Sequence, residues 1–65
     1  MSEIIGHIIS RSSGIMYQVK LDPNEKIVWV SSNGTAWILV CQKVEGESMA
    51  IQCAQKFIDL QEDLF

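Results

Sequence analysis

Three turn signals divide the first 43 residues of this chain at intervals of about ten residues. Arg11-Ser12-Ser13-Gly14 is the first, Asp22-Pro23-Asn24-Glu25 the second and Asn33-Gly34 the third. Asn-Gly suits a type I′ hairpin turn, whose two central residues both need positive φ. Asp-Pro-Asn-Glu suits a type I turn, with proline fixing φ at the second position. Segments this short and this regularly interrupted favour antiparallel strands. The pieces between the turns, 3–10, 15–21, 26–32 and 35–43, are rich in Ile, Val, Trp, Tyr and Thr, the residue types of half-buried pleated surfaces.

After Glu45-Gly46-Glu47 the period changes. From 48 to 64 apolar residues recur at helical spacing, with Ser48 as the predicted N-cap. On a helical wheel Met49, Ala50, Ile51, Cys53, Ala54, Phe57, Ile58, Leu60 and Leu64 share an arc of roughly 200°, about twice the stripe a helix needs to lie on a core. Ile51, Ile58 and Phe65 fall at its far edge. The predicted fold is α+β: a four-stranded antiparallel meander sheet followed by one C-terminal α-helix packed on one sheet face, in a single domain of residues 1–65.

Counting outward from the turns sets the register. It places Val30 opposite Trp37, Trp29 opposite Ile38, Val28 opposite Leu39, Val19 opposite Val28, Tyr17 opposite Val30 and Ile8 opposite Tyr17. Residues opposite one another share a face, so Ile4, Ile8, Ile15, Tyr17, Val19, Leu21, Val28, Val30, Trp37, Leu39 and Cys41 are expected on the core side, with Phe57 from the helix above them. The other face then carries Ile5, His7, Ile9, Met16, Gln18, Lys20, Ile27, Trp29, Ala36, Ile38 and Val40. A solvated antiparallel face reads polar, whereas this one is polar only at His7, Gln18 and Lys20.

A chain of 65 residues sits near the lower limit for folding alone and usually draws on a disulfide, a metal or a partner. Cys41 and Cys53 lie inside apolar patterns on different elements, and they are expected to be free, buried thiols in a reducing cytoplasm. His7 is the only histidine, and no Cys/His cluster has the spacing of a metal site, so neither metal nor cofactor is expected. The N-terminus lacks the basic region and cleavage site of a secretory signal. No apolar run reaches the roughly 18 residues of a membrane span. The expected setting is therefore cytoplasmic, with no membrane partner, and a protein partner is the remaining aid to stability.

Catalytic signals are absent. The four glycines form no phosphate-binding loop, no serine sits in a nucleophile elbow, and Asp22 and Glu25 are accounted for by their turn. The expected function is non-enzymatic protein interaction. Ile9, Met16, Ile27, Trp29, Ile38 and Val40 are the candidate interface, with Trp29 the type of residue that anchors one. Four strands do not readily close into a barrel, so the simplest cover for this face is a second copy in a two-fold dimer. A larger protein is an alternative partner, with the chain as a small acidic inhibitor or accessory subunit.

Single-stranded nucleic acid is a further alternative. Trp29, His7, Gln18, Lys20 and Arg11 fall on or beside one face, where an aromatic ring could stack a base and cations could follow the backbone. The order of four strands and one helix is similar to that of the dimeric single-stranded-DNA-binding transcriptional coactivators. That resemblance implies a basic sheet surface. Against it stand a net charge of −3 and five scattered cations, Arg11, Lys20, Lys26, Lys43 and Lys56, too dispersed to displace counterions in number.

Overall fold

The structure, a computed structural model, describes residues 2–32 and 36–63. It comprises β1 (Glu3–Ile9), β2 (Met16–Asp22), β3 (Ile27–Ser32), β4 (Ile38–Cys41) and α1 (Glu47–Asp63). The strands form one antiparallel sheet in sequence order, and the helix packs against one face of it. The α+β meander read from the turns is the observed fold. The Asn33-Gly34 turn lies outside the described residues.

The first hairpin closes as expected. Ser10 N–H donates to Ile15 C=O at 3.0 Å, Gly14 N–H donates to Ser10 C=O at 3.0 Å, and Gly14 takes the left-handed φ of 76° that suits glycine. Ile8 stands opposite Tyr17, but Ile15, expected on the core side, precedes β2 at the end of the loop and is exposed. Further along, a bulge between Ile4 and Gly6 corrects the expected faces. Ile5 turns in to pack against the core, and Ile4, now opposite Lys20, is exposed.

The second hairpin turns one residue later than predicted. Asp22 closes the ladder opposite Ile27, and its C=O accepts the Lys26 N–H at 2.7 Å, with Lys26 at φ 59°. The register moves by two: Val19 faces Val30, and Leu21 faces Val28. A two-residue shift leaves every side chain on its predicted face.

The third pairing is a one-residue slip, which does exchange faces. Val30 faces Ile38 and Trp29 faces Leu39, so Leu39 and Trp37 leave the predicted core and Ile38 joins the helix side. An irregularity then absorbs Val40, which packs against the core, and returns Cys41 to the core face opposite Val28. Trp37-Ile38-Leu39-Val40 is apolar at both parities and satisfies either register, so pattern alone could not choose between them.

The core joins Ile8, Val19, Leu21, Val28, Val30 and Val44 to Ala50, Ala54 and Ile58 of the helix. The two alanines, fully buried, bring the helix close to the sheet. Ile58, predicted at the edge of the apolar arc, lies in the core, while Ile51, Cys53 and Phe57 pack around it. Ala50 N–H donates to Gly46 C=O at 2.9 Å. Gly46 is therefore the N-cap, in place of Ser48.

The expectation of free thiols is also corrected: Cys41 and Cys53 form a disulfide, with Cα atoms 6.6 Å apart. Reading the cysteines as isolated small hydrophobes missed that the last strand and the second turn of the helix lie face to face.

Candidate interaction surface

The sheet face turned away from α1 is assembled from all four strands. Strand pairing places Lys20 beside Trp29, Gln18 beside Ser31 and His7, Met16 beside Ile9, and Leu39 beside Trp29. Trp37, two residues before Leu39, reaches the same side. Lys20 Nζ lies 5.0 Å from the ring centroid of Trp29 and 4.4 Å from that of Trp37. A cation over an aromatic face gains about 0.5–1 kcal/mol at an exposed site and more when desolvated. Both rings and the Lys20 stem are half-buried, so this trio forms a firm centre to the face.

Around the trio stand apolar side chains that a solvated sheet would not carry. Ile4, Ile9, Met16 and Leu39 are 56%, 55%, 47% and 44% exposed. Gln18 and Ser31 supply polar groups nearby, and Ser31 is itself buried and bonded. Lys20 brings the one cation of the trio.

Of the predicted interface, Ile9, Met16 and Trp29 share this face, and Ile27 stands at its end opposite Asp22. Ile38 and Val40 do not belong to it: Ile38 lies opposite core Val30, exposed at the sheet edge, and Val40 packs on the core. Trp37, Leu39 and Ile4 were missed because the slip and the bulge decide their side. Of the predicted nucleic-acid residues, Trp29, His7, Gln18 and Lys20 come together here. Arg11 is elsewhere, held to the helix: its N–H donates to Asp59 Oδ1 at 3.2 Å, and its Nε lies 3.7 Å from Asp59 Oδ2.

Among the described residues, no three His, Cys, Asp or Glu side chains gather as a metal site would require, and no helix is long and apolar enough to cross a membrane. Compared with known proteins, the chain matches no family model, no curated protein and no solved structure.

Proposed function

We propose that this chain is a small non-enzymatic interaction module that associates with a second copy of itself, as a two-fold dimer, through the open sheet face. One observation carries the reading: Ile4, Ile9, Met16 and Leu39 surround the Trp29–Lys20–Trp37 trio on a single surface. Monomers rarely leave such a patch in water, and tryptophan is enriched among the residues that dominate binding energy.

Size supports it as well. A standard interface takes about 800 Å² from each partner, and the chain exposes 4403 Å² in all. The Cα trace spans 33 × 21 × 15 Å, so an interface of that size would take a broad side of the molecule. Sedimentation equilibrium from low to several hundred micromolar should show a monomer–dimer transition. A monomer throughout would overturn the reading and leave a larger protein as the occupant.

The second reading, single-stranded nucleic acid, gains from Trp37 standing beside Trp29 with Lys20 between them. Charge opposes it, because the chain is acidic overall and Arg11 stands away from the open face, beside Asp59 of the helix. Tryptophan emission should therefore stay constant on titration with an oligothymidylate at low salt. Salt-sensitive quenching would favour this reading instead.

The compartment follows the sulfur chemistry. Disulfides persist in oxidising settings and are rare in the cytosol, so the Cys41–Cys53 bond weighs against a cytoplasmic setting. Recovery of both cysteines alkylated from cells lysed in alkylating reagent would restore that setting.

A further inference from the structure

A second surface, independent of the open face, lies along the outer edge of β1. Bonding alternates along an antiparallel strand. Ser10 N–H is committed to Ile15 C=O on the β2 side, so Ile9 and His7 turn their own N–H and C=O groups outward. One of these groups already has a partner: Gln55 Nε2, from α1, donates to Ile9 C=O at 3.0 Å. A side-chain amide thus stands where the N–H of another strand would come.

Gln55 also lines an open groove of about 530 Å³ between the helix flank and the first hairpin loop, a volume typical of ligand sites. Ile51 and Leu60 give it apolar wall, and Arg11 and Lys56 bring two of the chain's five cations to it. Asp59 is its acid, and both carboxylate oxygens are engaged. Oδ1 accepts from Arg11 N–H, Oδ2 faces Arg11 Nε, and Gln55 Nε2 donates to both at 3.2 Å. Arg11 nevertheless keeps 85% of its side chain exposed, and Lys56 is exposed with no ion pair among the described residues. On a chain of net charge −3, this edge presents cations outward.

We propose that the β1 edge and its groove take an extended acidic peptide from a partner protein, added as a fifth strand. Its main chain would pair with His7 and Ile9, displacing the Gln55 amide, its apolar side chains would lie on Ile51 and Leu60, and its carboxylates would meet Arg11 and Lys56. Strand addition takes its affinity from main-chain bonds and its selectivity from the alternate side chains. The bulge at Ile5 confines pairing to the Gly6–Ile9 half of the strand.

The test is an amide NMR titration of the whole chain with an end-blocked alternating glutamate–valine hexapeptide, and with its lysine–valine counterpart. The acidic peptide should shift His7 and Ile9 and slow their exchange, while the basic one should not. Reversing both cations (Arg11→Glu with Lys56→Glu) should weaken binding by about tenfold or more. Lys56→Glu alone, at an exposed helix position, should weaken it in a chain whose spectrum stays folded. Unmoved His7 and Ile9 amides at millimolar peptide, or equal binding of the basic peptide, would overturn the proposal. It would equally fail if, in a Leu39→Glu chain whose open face is blocked, these two amides still shifted and became protected with protein concentration alone, since the edge would then serve self-association. Loss of the open-face dimer would leave each of these readouts intact.

Discussion

Asp22 holds the second hairpin through both its main chain and its side chain. Its C=O accepts the Lys26 N–H, and its carboxylate Oδ1 accepts the N–H groups of Glu25 at 3.1 Å and Asn24 at 3.0 Å. The Glu25 bond, followed by that from Asn24, outweighs desolvation and holds the carboxyl below its ordinary value. A depressed folded pKa means the contribution is present above the unfolded pKa and is lost as pH falls through the folded one. The hairpin should therefore loosen below a pH of about 4. Asp22→Asn keeps an Oδ1 acceptor but cannot titrate, so its urea midpoint should fall less than that of the parent between neutral pH and pH 2. Parallel acid curves for the two proteins would show that the turn does not sense pH through this residue. That Asp22 starts a turn was legible from Asp-Pro-Asn-Glu. That it also closes the strand ladder was not, because the left-handed Lys26 moves the turn by one residue.

At the scale of elements, β4 and α1 depend on one another. β4 is a four-residue edge strand, and α1 supplies Ala50, Ala54 and Ile58 to the core. The Cys41–Cys53 bond ties the two across a sequence separation of 12. In the chain-entropy account, closing a loop of that size stabilises by about 3 kcal/mol. Small domains have only about 5–15 kcal/mol in total. Reduction should therefore lower the melting temperature by more than about 10 °C, as read by calorimetry with and without reductant. An unchanged transition would make the bond incidental. The helix and four strands were readable because turn chemistry and the change of period are local signals. The partner of each cysteine depends on how β4 docks, and apolar residues at both parities of β4 left that open.

The molecule as a whole is two layers with a core between them and one broad side uncovered. The dimer reading predicts a particular outcome for Leu39, which is 44% exposed on that side beside Trp29. Leu39→Glu should give a folded monomer, with the parent's circular dichroism but no dimer at several hundred micromolar. A dimer of undiminished affinity would place the interface elsewhere. The position of α1 also bears on the order in which the molecule can come into being. A ribosome releases the strands first and the helix last, yet the helix supplies the cover for Val19, Val28 and Val30, all wholly buried in the finished protein. Until Ile58 emerges, the nascent sheet has two apolar faces and a roof for neither. The hairpins of this chain are therefore at their most adhesive during synthesis, when a holding chaperone or a neighbouring nascent copy has most to grip.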